Sequence, residues 1–237
     1  MSDGPQGEEL SDFRPSAEQR PTIRVFDSGP GPLRAVPVFL VINAVVFLAW
    51  MLSSGYPSLR ELLSVHFLVS STRIEHGLVW TLVTAAFSHY MLVHLLINMV
   101  VLVSFASPLE RLLGARKFVG FYLLAAIVSS ASHCAVSTLL LGDSDVSALG
   151  ASGAVAGVLL AFALLYPHHR ILLFGIIPLP ALLGALAFVA LDLWGLIAQG
   201  RGGGLPIGHG AHLGGALTGA LFYAFYLRPR RRRVMRL

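Results

Sequence analysis

The sequence predicts an all-α membrane protein, a bundle of six transmembrane helices with both termini in the cytoplasm. Three observations carry this expectation. Only 12% of the 237 residues are charged and 55% are apolar, with a mean hydropathy of +0.74; soluble domains carry about 25% charged residues. The charges are bunched, with six of the twelve acids in the first 27 residues. The runs free of Asp, Glu, Lys and Arg are each long enough for the roughly 20 apolar residues that cross a ~30 Å hydrocarbon core.

Those runs are 35–59, 76–109, 118–142, 146–169, 171–191 and 202–227. The first predicts a span at 36–54, with Asn43 as a packing polar residue. The second predicts 79–105, carrying His89, His94 and Asn98. The third predicts 118–140, with His133 again a packing residue. The fourth predicts 150–166, ending before Pro167. The fifth predicts 171–192, kinked by Pro178 and Pro180 and a candidate mobile element for lateral substrate access. The sixth predicts 208–227, ending at Arg228.

Residues 1–34 are rich in Pro, Gly, Ser and charge and read as a flexible cytoplasmic tail. They lack the basic stretch and apolar run of a secretory signal, and their acids argue against a mitochondrial transit peptide. Residues 35–227 form the six-span core, and 228–237 a basic cytoplasmic tail.

Lys and Arg set the orientation. With both termini inside, 14 of the 17 basic residues are cytoplasmic and only Arg60, Arg73 and Arg201 lie outside. The net charge of +5 therefore reports topology and not nucleic-acid binding. The basic tail after the last span fits anionic lipid headgroups.

Polar side chains at bilayer depth point to function. Counting 1.5 Å per residue from each cytoplasmic end puts Ser152 at about 21 Å, His212 at about 24 Å, His94 at about 24 Å and Asn98 at about 18 Å. These four residues, from three spans, share one layer. His89 and Asp192 both come out at about 31 Å, at the outer boundary, so Asp192 is expected to be an interfacial, hydrogen-bonded structural acid.

Serine and histidine in one layer with further donors suggest nucleophilic catalysis. Neutral imidazole can take a hydroxyl proton near pH 7. His94 and Asn98, four residues apart, share a helix face and can serve as oxyanion donors with backbone N–H groups beside Ser152. Gly153 and Gly157, and Ala211, Gly215 and Gly219, have the small-xxx-small spacing that lets helices approach in lipid.

These segments resemble a family. G-A-S-G-A-V-A-G at 150–157 is similar to the G-x-S-G signature of rhomboid intramembrane serine proteases. A-H-L-G-G at 211–215 resembles their A-H-x-G-G motif, and H-Y-M-L-V-H-L-L-I-N at 89–98 their H-x-x-x-x-H-x-x-x-N. E-R-L-L-G at 110–114 sits where the family has E-x-x-x-G. The resemblance spans about residues 35–227. It implies Ser152 as nucleophile and His212 as general base, a dyad without a carboxylate. It also implies an oxyanion hole of His94, Asn98 and the Ser152 N–H. Gly150, Ala151 and Gly153 are supporting residues, with His89 a structural or hydrogen-bonding residue at the cavity mouth. Two departures stand out. Ala156 replaces a Tyr or Phe whose ring supports the histidine in many members, so another group must hold His212. Trp80-Thr81 replaces a W-R pair in the loop after the first span.

The expected activity is therefore serine endopeptidase cleavage of transmembrane protein substrates, with membrane lipids as surroundings and no cofactor or metal. One cysteine, Cys134, cannot build a Cys-based zinc site or an Fe–S cluster, and no H-E-x-x-H occurs. A catalytically inactive client-binding relative would typically lack the serine or the histidine. A haem protein ligated by His94 and His212 leaves Ser152 and Asn98 unexplained, and a transporter lacks its inverted repeat of broken helices. By analogy with compact relatives, the expected location is a bacterial inner membrane.

Overall fold

The computed structural model describes residues 32–173 and 177–230. Most of the tail expected at 1–34, and the end of the basic tail from residue 231, lie outside the described residues. The first apolar run forms α1 (Ala35–Leu52). Pro37 falls in its first turn, where a missing N–H removes no helical bond. That end of α1 is tied to a distant acid. The backbone N–H groups of Arg34, Ala35 and Val36 donate to the Glu110 carboxylate at 2.6, 2.8 and 2.8 Å. Glu110 is buried, and a carboxylate at a helix N-terminus satisfies orphan donors and complements the dipole.

Three short helices follow: α2 (Pro57–Phe67), α3 (Ser71–Glu75) and α4 (Thr81–Thr84). Ser70 caps α3 by accepting from the Arg73 N–H. Trp80 stacks on His66 and donates to its Nδ1 at 3.1 Å, while Thr84 bonds the His66 carbonyl. With Thr81 buried and bonded to the Leu78 carbonyl, this loop is anchored without an arginine beside Trp80.

The second long helix is α5 (Leu92–Leu113), which corrects the expected span of 79–105. Ala85, Ala86 and Phe87 are buried against protein, and a charge-free run cannot distinguish that from lipid exposure. The helix runs on through Pro108 and stops at Gly114, whose φ of +77° is open to glycine. It leads directly into α6 (Ala115–Leu139).

The central helix is α7 (Ser152–Leu165), with ten of its 14 residues buried. After it comes a hairpin, β1 (Arg170–Leu173) with β2 (Ile177–Pro180), antiparallel in the register Arg170↔Pro180. Then α8 (Ala181–Gly200) begins. The expected fifth span of 171–192 is therefore about ten residues too early. Pro178 and Pro180 stand in β2, before the helix, and put no kink in it. Proline favours an extended neighbour on its N-terminal side and a helix start on its C-terminal side. The last helix, α9 (His209–Phe222), continues through a π-helical turn at Tyr223–Leu227.

Among the described residues, four helical segments are long and apolar enough to cross a membrane: α1 with its following turn, α5, α6 and α8. α7 is shorter and apolar. Around it, the outward faces of α1, α5 and α8 are apolar and exposed, as at Val41 (61%), Val100 (65%) and Trp194 (70%). Exposed apolar faces around an apolar core fit a lipid solvent, and the molecule is an all-α helical membrane bundle with, among the described residues, a small hairpin.

Candidate active site

The strand-like segment before α7 is held from two sides. Val69 and Ala148 exchange N–H···O bonds of 3.0 and 2.8 Å, and the Gly150 N–H donates to the Ala85 carbonyl at 2.8 Å. Gly150 has φ +120°, and a Cβ there would lie 2.7 Å from the His94 ring. Both facts require glycine. The next N–H, of Ala151, points to His89 Nε2 at 3.4 Å. His89 is fully buried in the extended stretch before α5. This corrects its expected place at a cavity mouth. It sits under the backbone that presents Ser152.

Ser152 is the first residue of α7 and His212 the fourth of α9. The two helices meet backbone to backbone. A Cβ on Gly157 would stand 2.7 Å from the Gly215 carbonyl oxygen, and one on Gly219 would stand 2.1 Å from that of Gly157. Only helices lined by small residues approach so closely. The approach brings Ser152 Oγ to 2.8 Å from His212 Nε2.

His94 and Asn98 lie in the first two turns of α5. The His94 ring rests against Gly150, two residues before the serine, and edge-on to His89. The Asn98 amide donates to the His94 carbonyl at 2.9 Å, which leaves its second N–H free of that bond. The N-terminal turns of α5, α7 and α9 thus converge here, each bringing the partial positive charge of a helix start.

The structure also brings in a residue that depth counting misplaced. Asp192 is buried, at 5% exposure, and lies mid-helix because α8 starts at Ala181. Its Oδ1 stands 2.9 Å from His212 Nδ1 and 2.7 Å from His209 Nδ1. The Phe188 ring packs on His212 with centroids 5.4 Å apart, so α8 supplies the support that Ala156 cannot. The signal for Asp192 was present as the lone acid in a long apolar run, but its depth depended on where the helix began. Asn43 bonds the Phe39 carbonyl and His133 the Val146 carbonyl, the packing roles expected of them.

Asp192, His209 and His212 place one ligand atom each within 4.8 Å of the others. The 2.7 and 2.9 Å separations are hydrogen-bond lengths. Ligands on a zinc ion with ~2.0 Å bonds stand roughly 3.3 Å apart, so the cluster as it stands is a hydrogen-bonded one.

Residues 76–230 match the Rhomboid domain family. This chain belongs to the rhomboid family. Rhomboid protein 1, mitochondrial, of Saccharomyces cerevisiae is 34% identical over 197 residues, covering 83% of this chain and 54% of that protein. Presenilin-associated rhomboid-like protein, mitochondrial, of Mus musculus is 34% identical over 234 residues, 94% of this chain and 57% of that protein. RHOMBOID-like protein 12, mitochondrial, of Arabidopsis thaliana is 29% identical over 204 residues, 81% of this chain and 58% of that protein. The chain spans about half the length of the curated relatives it matches. Protease activity on transmembrane proteins is typical of rhomboids. The mitochondrial names of these relatives overturn the expected bacterial inner membrane, whereas the multi-pass membrane fold of the rhomboid stands.

Proposed function

We propose that this rhomboid is an intramembrane serine endopeptidase that cleaves transmembrane protein substrates, with Ser152 as nucleophile and His212 as general base. The observation that carries the reading is the 2.8 Å approach of Ser152 Oγ to His212 Nε2 across the α7–α9 contact. His212 Nε2 takes the hydroxyl proton as Oγ attacks the scissile carbonyl carbon. The Ser152 N–H, the free Asn98 N–H and the His94 ring supply donors to the oxyanion, each worth about 10²–10³ in rate. Collapse of the tetrahedral intermediate breaks the C–N bond, and the imidazolium returns the proton to the leaving amine. Water then attacks the acyl-serine by the same base, freeing the acid product and Ser152.

Hydrolysis needs water, and Ser152, His94 and the His212 side chain (12% exposed) are partly exposed, whereas Asn98 and Asp192 are buried. A substrate helix has its carbonyls engaged in i to i−4 bonds, so it must unwind locally before attack. Segments with glycine or other weak helix formers are the expected targets. We place the protein in a mitochondrial membrane, by the names of its relatives, as a six-span core at 35–227.

Labelling by a fluorophosphonate probe, together with cleavage of a single-span test substrate in liposomes, tests the reading. Both should be lost in Ser152→Ala and in His212→Ala. Undiminished cleavage by Ser152→Ala would overturn it, and binding without cleavage by the parent protein would favour a client-binding role.

A further inference from the structure

We infer that Asp192 is a positioning residue for His212, making the site a serine–imidazole–carboxylate chain, and that His209 holds the carboxylate in place. The inference rests on the proposed roles of Ser152 and His212.

The inward face of α8 carries the argument. Leu191, Leu193 and Trp194 are exposed, at 62%, 49% and 70%, and turn toward lipid. Phe188, Asp192 and Gly195, spaced i, i+4 and i+7, form the opposite face, and each meets an imidazole. Phe188 packs on His212, and Asp192 bonds both histidines. Gly195 lies against His209, where a Cβ would stand 2.3 Å from the ring. One helix face is thus shaped around two histidines of α9.

A carboxylate is costly inside an apolar bundle and persists only where donors meet it. Here Oδ1 receives both. A carboxylate can only accept, so Nδ1 of His212 carries the hydrogen of that bond. In the neutral ring Nε2 is then left with its lone pair toward Ser152 Oγ. That is the tautomer a general base requires. When His212 takes the serine proton, Nδ1–H stays on the ring and the adjacent carboxylate stabilises the imidazolium. Asp192 itself takes no proton, and the transferred proton leaves with the amine. His209, also buried, donates from its Nδ1 to the same oxygen and fixes its direction toward α9.

Asp192→Asn keeps size and an accepting oxygen but removes the charge. The expected result is a kcat lower by about 10²-fold or more. The second-order rate of fluorophosphonate labelling should fall by the same factor, with KM and the melting temperature unchanged. The probe reacts without a transmembrane substrate, so it separates chemistry from access. A kcat within about threefold of the parent, or a loss confined to KM, would overturn the inference. A measurement on the parent protein covers the case in which the variant does not fold. ¹⁵N NMR of histidine-labelled protein should find His212 as the Nδ1–H tautomer, and the Nε2–H tautomer would overturn the inference. Full labelling of Asp192→Asn alongside lost labelling of Ser152→Ala removes only the carboxylate's role. Full labelling of Ser152→Ala removes the proposed function itself.

Discussion

Gly215 faces the backbone of Gly153 so closely that a Cβ on residue 215 would lie 1.8 Å from the Gly153 carbonyl oxygen. The obstacle is backbone, which cannot rotate away as a side-chain tip can. Gly215→Ala should therefore push α9 from α7, at a cost of about 1–3 kcal/mol or more, and separate His212 from Ser152. Thermal unfolding in detergent and fluorophosphonate labelling check this. A variant as stable and as reactive as the parent would contradict the backbone contact.

The oxyanion assignment predicts that His94→Ala and Asn98→Ala each lower kcat by about 10²–10³. Labelling of Ser152 should remain detectable, because the nucleophile and base are untouched. An effect on KM alone would remove these residues from transition-state stabilisation.

Gly150→Ala places a methyl group in the space of the His94 ring and on a backbone with φ +120°. It should reproduce the kinetic loss of His94→Ala. The double variant should be little slower than either single one, since both changes disable one donor. Additive losses would show that Gly150 acts elsewhere.

Phe188→Ala removes the ring against His212. The expected loss is about tenfold in kcat, equivalent to ~1.4 kcal/mol of transition-state stabilisation. Steady-state cleavage with Phe188→Leu as a packing control measures it.

Glu110→Ala leaves three backbone N–H groups at the start of α1 without their acceptor. A loss of about 3 kcal/mol of stability is expected, at roughly 1 kcal/mol or more for each donor left unbonded. The rate per folded molecule should be unchanged, because this end of α1 is remote from Ser152 in the fold. Melting temperature and active-site titration separate the two effects.

Much of this was legible in the sequence because the relevant rules are local. His94 and Asn98 share a face through the period of one helix, and the glycines of α7 and α9 announce close approach by their spacing. Charge-free runs located the apolar elements, but not their ends. Residues 81–89 and 177–180 lie in charge-free runs, yet the first form a short helix and turn against the core and the second a strand. Hydropathy measures transfer out of water, not whether protein or lipid receives the side chain.

That difference separates what the sequence by itself determined from what the tertiary structure decided. The chain alone specified a charge-poor helical membrane protein and a serine and histidine at matching depth. The fold decided where α8 begins, and so whether Asp192 lies at the boundary or in the bundle. A ten-residue shift in a helix start moves a side chain by ~15 Å. It also turns an isolated acid into the partner of two histidines whose ring positions depend on helices far apart in sequence.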